Sequence, residues 1–79
     1  MNLQDKILGI IKENVEKSDA VDLESDLRNE IGIDSFEVTM IIDALEVEFG
    51  ITIDETDFQK VSTASDIVAL LKQQYIRDH

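Results

Sequence analysis

Apolar residues in this chain recur at intervals of three and four, a period that lets a helix, but not a strand, bury them on one face. They do so in three runs: Leu3, Ile7, Ile10, Ile11 and Val15; then Val38, Ile41, Ile42, Leu45 and Phe49; then Ala64, Ile67, Val68, Leu71 and Tyr75. Strand-like alternation is confined to Ile51-Thr52-Ile53, which has no partner strand and reads as an extended connector. The pattern predicts an all-α four-helix bundle, with three longer helices, one short helix and a long first loop. The 79 residues suffice for one domain spanning 1–79, and at 43% hydrophobic the chain is too apolar for charge-driven disorder.

Local signals set the expected boundaries. Asn2 with Asp5 three residues on opens a first helix from about Leu3 to Glu16. Residues 17–33 carry turn formers, Ser18, Asp19, Asp22 and Ser25, yet Val21, Leu23, Leu27 and Ile31 tie them to a core. A loop so long invites some structure, so a short helical turn is expected near Asp26 to Ile31. Asp34 as N-cap with Glu37 forms a capping box for the second helix, and Gly50 fits the residue after its end. Asp54 to Gln59 reads as one short helix with Phe58 inward, and Thr63 with Asp66 opens the last.

Charge and residue usage then narrow the chemistry. Eighteen acids against seven bases give a net charge of −11. No base occurs between Arg28 and Lys60, a stretch holding Glu30, Asp34, Glu37, Asp43, Glu46, Glu48, Asp54, Glu55 and Asp57. Such a chain repels nucleic acid and anionic membrane surfaces and favours basic protein partners. The absence of cysteine excludes a disulfide, a thiolate metal site and a cysteine nucleophile, so any thiol chemistry needs imported sulfur. The N-terminal residues lack a basic segment followed by an apolar run, and no stretch approaches the length of a membrane span, which points to the cytoplasm. The one histidine is His79, and no lysine lies near Ser35 in sequence, so no catalytic constellation can be assembled and no enzyme activity is expected. The acids at Asp19, Asp22, Glu24 and Asp26, and at Asp54, Glu55 and Asp57, lack the spacing and glycine of an EF-hand loop; no specific metal site is expected.

If the apolar series of the second helix faces inward, Phe36, Met40, Asp43 and Val47 lie along another, outward stripe. Flanked by Glu37, Glu46 and Glu48, this is the form of an apolar docking ridge edged with carboxylates. Ser35 falls in the first turn, where unpaired N–H groups and the helix dipole favour an attached phosphate. From chemistry alone, Asp-Ser at a helix start is far more often plain capping.

The segment Gly32-Ile33-Asp34-Ser35-Phe36, followed by Ile41, Leu45-Glu46, Glu48-Phe49 and Ile51-Thr52-Ile53, resembles the attachment region of the acyl carrier proteins. Leu27 to Ile31 before it and Val61 to Leu71 after it also match that family's layout. The resemblance implies that Ser35 receives 4′-phosphopantetheine from coenzyme A through a phosphopantetheinyl transferase, with Asp34 helping to organise the Mg²⁺-dependent transfer. Acyl groups would then ride as thioesters on the imported thiol. It further implies docking of acyl-transfer, ligase and synthase enzymes with basic patches onto Phe36, Glu37, Met40, Asp43, Glu46 and Val47, and an acyl-holding interior lined by Ile41, Leu45, Ile53, Ala64 and Leu71. The carrier is expected to be a monomer working with discrete enzymes. Phe36 stands where the family commonly has an aliphatic residue, Thr39-Met40 where fatty-acid carriers usually have Val-Glu, and Asp54 where a proline is usual; these departures imply a specialised carrier. The alternative from another class is an acidic helical adaptor with no covalent group, docking through the second helix.

Overall fold

The computed structural model describes residues 2–76; His79 lies outside them. In chain order the elements are α1 (Leu3–Glu13), a 3₁₀ turn (Ser18–Ala20), α2 (Ser35–Phe49), α3 (Glu55–Phe58) and α4 (Ala64–Leu70), which runs on into a wider π-type turn (Leu71–Tyr75). The architecture is the all-α, four-helix one expected, and no strand occurs among the described residues. No helix among them is long and apolar enough to cross a membrane.

Each helix starts on the side chain its sequence offers. The Asn2 side chain accepts the Asp5 N–H at 2.8 Å, Asp34 accepts that of Glu37 at 2.8 Å, and Thr63 Oγ1 accepts that of Asp66 at 3.0 Å. In α2 and α4 the third residue reaches back to the cap, closing full capping boxes. Gly50 ends α2 at φ 65°, a left-handed conformation that strains any residue with a Cβ. The first helix is shorter than expected. The Asn14 side-chain amide donates to the Ile10 carbonyl at 2.8 Å and its backbone N–H bonds Ile11, so the turn tightens there instead of continuing to Glu16.

α1 packs against both α2 and α4. Ile7, Ile11, Ile41, Leu45, Ile67 and Leu71 are fully buried between them, joined by Phe58 from α3 and Leu27 from the long loop. Val38, Phe49, Leu3, Ile10 and Tyr75, all expected on buried faces, are half-buried at the edge of this core.

The loop of residues 21–33 is a strap rather than a helix. Glu30 and Ile31 both donate N–H groups to the Asp26 carbonyl, at 2.9 and 3.0 Å, which gives the single expected turn, but Gly32 at φ 76° prevents its propagation. The strap is instead sewn to the α3–α4 connection. Leu27 N–H donates to Ser62 at 2.7 Å, Ser65 N–H to Leu23 at 2.9 Å, and the Arg28 guanidinium to the carbonyls of Val61 and Phe58 at 3.2 and 3.1 Å.

Asp26 anchors the strap's turn. The N–H and side-chain amide of Asn29 hold its carboxyl below the ordinary carboxylate value, against an opposing effect of desolvation, with lesser help from the N–H and charge of Arg28. A lowered value stabilises the fold above the ordinary pKa of about 4 and is lost as pH falls through the lowered one. The gap in Tm between wild type and Asp26→Asn should therefore be open at neutral pH and close in acid; a gap constant with pH would contradict it.

Tyr75 closes the far side. Its hydroxyl donates to Asp57 Oδ2 at 2.7 Å and accepts the Asp54 N–H at 2.9 Å. A proline at position 54 has no N–H to give, so the departure from the family's usual residue has a structural use here.

Candidate functional site

Ser35 is the first residue of α2 and is exposed. Its carbonyl is taken by Thr39 Oγ1 at 3.0 Å, while its own hydroxyl has no protein partner among the described residues. The hydroxyl thus stands beside the unpaired N–H groups of the first turn, at the positive end of a helix of 15 residues.

The backbone around it is held from both sides. Upstream, the Ile33 N–H donates to the Leu27 carbonyl at 3.0 Å and Gly32 takes the left-handed conformation. Downstream, the Glu37 carboxylate accepts two N–H groups, that of Asp34 at 3.2 Å and that of Glu16 at 2.8 Å. One side chain therefore pins the start of α2 to the segment after α1.

A cavity of about 200 Å³ opens beside Ser35, lined by Arg28, Ile33, Asp34, Val38, Glu55, Phe58 and Gln59. Its walls are the strap, the first turn of α2 and α3. Arg28 is the basic residue of this lining; two of its nitrogens are fixed by the Phe58 and Val61 carbonyls. Sequence reasoning passed over Arg28, although it is the last base before the base-free stretch.

The outward stripe of α2 is where periodicity put it. Phe36, Met40 and Val47 are 71%, 40% and 85% exposed, and Asp43 is exposed. Of the three flanking acids Glu48 is exposed, but Glu37 and Glu46 are only partly so. Glu37 caps as described, and Glu46 Oε2 accepts the Ile53 N–H at 2.8 Å, fixing the connector after Gly50. Both carboxylates hold backbone, and the free apolar atoms of the ridge lie on either side of them. Ile41, Leu45, Ile53, Ala64 and Leu71 are all buried in the common core.

The acid runs that suggested cations serve turns. Asp22 Oδ1 accepts from the Glu24 N–H and the Ser25 hydroxyl, Asp26 from Arg28 and Asn29, and Asp54 from Thr56. Among the described residues no three of His, Cys, Asp and Glu converge as a metal site would require.

Comparison with known proteins agrees with this geometry. A family described as the phosphopantetheine attachment site matches residues 5–71. The chain is 36% identical over 75 residues to an acyl carrier protein of Nitratidesulfovibrio vulgaris (Miyazaki F), covering 94% of this chain and 99% of that one. It is 32% identical over 71 residues to an acyl carrier protein of Thermotoga maritima, covering 87% and 86%. Among solved structures, a Mycobacterium tuberculosis protein assigned as an acyl carrier superposes with a TM-score of 0.77, covering 89% of this chain and 95% of that one. At 24% identity that likeness speaks for the fold alone.

Proposed function

The chain belongs to the acyl carrier protein family, whose members are carriers built around a phosphopantetheine attachment site, and from that premise we propose that Ser35 is the residue that bears the group. The observation that carries the assignment is the exposed, unpartnered Ser35 hydroxyl at the N-terminus of α2, inside the matched region.

The site's residues fit a phosphodiester with a long arm. The first-turn N–H groups and the helix dipole favour the phosphate, and the adjoining cavity, with Arg28 in its lining, gives room beside it. When bound, the group supplies the thiol that this cysteine-free chain lacks, and that thiol holds acyl groups as thioesters. The chain's own contribution is positional. Asp34 and Glu37 fix the turn so that the Ser35 hydroxyl faces outward, and the Glu37 bond to Glu16 keeps that turn from fraying.

In the transfer step the Ser35 oxygen bonds to the phosphorus of the pantetheine phosphate. The pyrophosphate bond of coenzyme A breaks, adenosine 3′,5′-bisphosphate leaves, and the serine proton passes to a base of the transferase. The Asp34 carboxylate, one residue before, would help to hold the Mg²⁺ ion in that complex, the role the family resemblance implies for it. Partners on this reading are the transferase and biosynthetic enzymes with basic patches, meeting the side of α2 that carries Phe36 and Asp43. The chain itself acts as a monomeric cytoplasmic carrier without catalysis.

Treating the protein with coenzyme A, Mg²⁺ and a broad-specificity phosphopantetheinyl transferase should add one phosphopantetheine to the intact mass of wild type and none to Ser35→Ala, with both samples helical by circular dichroism. Modification of the alanine variant would displace the site. No gain in wild type shown to start unmodified would favour the non-covalent adaptor.

A further inference from the structure

One side of α3 lines the cavity beside Ser35, through Glu55 and Phe58, and Phe58 belongs at the same time to the buried core. We propose that Arg28 and Tyr75 bolt this helix in place, so that the acyl group the carrier holds is a short one kept outside the core rather than a long aliphatic chain buried within it. The inference rests on Ser35 as the attachment residue and names the class of cargo that site serves.

A helix of four residues has no stability of its own, so its ties decide where it sits. At its C-terminal end the Arg28 guanidinium, reaching over from the strap, donates to the Phe58 carbonyl at 3.1 Å and to that of Val61 at 3.2 Å. At its N-terminal end the Tyr75 hydroxyl, reaching over from the turn after α4, accepts the Asp54 N–H at 2.9 Å and donates to Asp57 Oδ2 at 2.7 Å. Three of these four bonds have a charged partner, which makes them the stronger kind. The tie at Asp54 exists because the residue there is not the proline usual in the family. The connector ahead of α3 is pinned as well, by the Glu46 carboxylate on the Ile53 N–H.

Behind α3 the space is filled. Ile41, Leu45, Ala64 and Leu71, to which the family resemblance assigns an acyl-holding interior, are fully buried in the common core. Interiors are close-packed, so a chain of methylenes enters only if a wall moves, and the wall with the least hold of its own is the one that is bolted. What stays open to the arm is the cavity of about 200 Å³. A cavity of about 150 Å³ takes one benzene, so this one has room for about six to eight carbon-sized atoms. Arg28, Asp34, Glu55 and Gln59 in its lining also suit a polar group better than an alkyl tail.

The test compares wild type with the double variant Arg28→Met, Tyr75→Phe, which removes the four hydrogen bonds and leaves apolar side chains in their place. Each is loaded by a phosphopantetheinyl transferase from butyryl-coenzyme A or dodecanoyl-coenzyme A, and intact mass confirms one adduct. In wild type the methyl resonances of Ile41, Leu45 and Leu71, and the Tm, should be the same in the two loaded forms. In the double variant the dodecanoyl form should shift those methyls and melt above the butyryl form, because the tail is then buried. Core shifts in dodecanoyl wild type would overturn the proposal, and so would a double variant whose core ignores the longer chain. A second measurement needs no loading and the gentlest change. Tyr75→Phe alone should speed amide exchange at Phe58 and Gln59, whose N–H groups bond within the α3 turn, about tenfold, the factor that losing one charge-assisted hydrogen bond brings. Unchanged exchange would overturn the proposal too. A loading that fails shows in the intact mass and counts against the attachment at Ser35, while the exchange result still decides whether α3 is bolted.

Discussion

Replacing Phe58 with alanine will leave the chain largely unfolded at physiological temperature, whereas replacing Phe36 will leave its stability nearly unchanged. The residue type is the same; burial decides. Phe58 is 1% exposed and Phe36 is 71% exposed. Truncating a buried phenylalanine costs about 3 to 5 kcal/mol, through lost transfer energy and the cavity left behind. A core of this size, with no disulfide, supplies roughly 3 to 5 kcal/mol of net stability, so the loss is of the same order as the whole. Phe58 also has no local substitute. α3 is only Glu55–Phe58, far too short to persist alone, and it is held by Phe58 within, by Arg28 on the Phe58 and Val61 carbonyls, and by Tyr75 at Asp54 and Asp57. Denaturant melts followed by circular dichroism check this directly. A Phe58→Ala protein with a midpoint close to wild type would mean that α3 contributes little to the fold.

What could be read from the sequence divides by range. Both ends of α2 were legible because their causes are local: Asp34 and Glu37 are three residues apart, and Gly50 makes its left-handed turn in place. The fold class followed from three apolar series of helical period. The end of α1 was not legible, since Asn14 bonding back to Ile10 is one of several options open to that side chain. The strap escaped for another reason. Its stitches join Arg28 to Phe58 and Val61, and Leu27 to Ser62, contacts between residues some thirty apart that no period encodes. The same limit applies at the site. Exposure of Phe36, Met40 and Val47 could be inferred from helical geometry, but not that Glu37 caps Glu16 or that Glu46 holds Ile53. Nor could Ile10 be placed at the margin of the core, because periodicity assigns it to the buried face of α1 while packing leaves it at the edge.

Raising the ionic strength should stabilise this protein, with Tm climbing at least about 5 °C between about 10 mM and about 0.5 M salt, equivalent to roughly 1 kcal/mol in a domain of this size. The nine acids of residues 29–59 meet no base within that stretch. The ion pair among the described residues, Lys6 with Glu48, reaches into it from α1. The radius of gyration is 11.4 Å. At about 10 mM the screening length is about 30 Å, so every carboxylate feels every other; at about 0.5 M only near neighbours remain coupled. The last turn of α2 adds to the strain, since Glu46 and Glu48 lie near the negative end of the helix dipole with no base in that turn. Salt also weakens the Lys6–Glu48 pair, but at 45% and 40% exposure such a pair contributes at most about 1 kcal/mol and opposes the trend only in part. Mg²⁺ at millimolar concentration should reach the same plateau at far lower ionic strength, because a divalent ion neutralises neighbouring carboxylates together. Calorimetric scans across the salt series, repeated on a Glu30→Gln, Asp43→Asn variant, separate the causes: self-repulsion predicts a higher Tm and a shallower slope in the variant. A wild-type Tm flat across the series would place the acidic stretch in balance with its surroundings and remove the electrostatic reason for a basic partner.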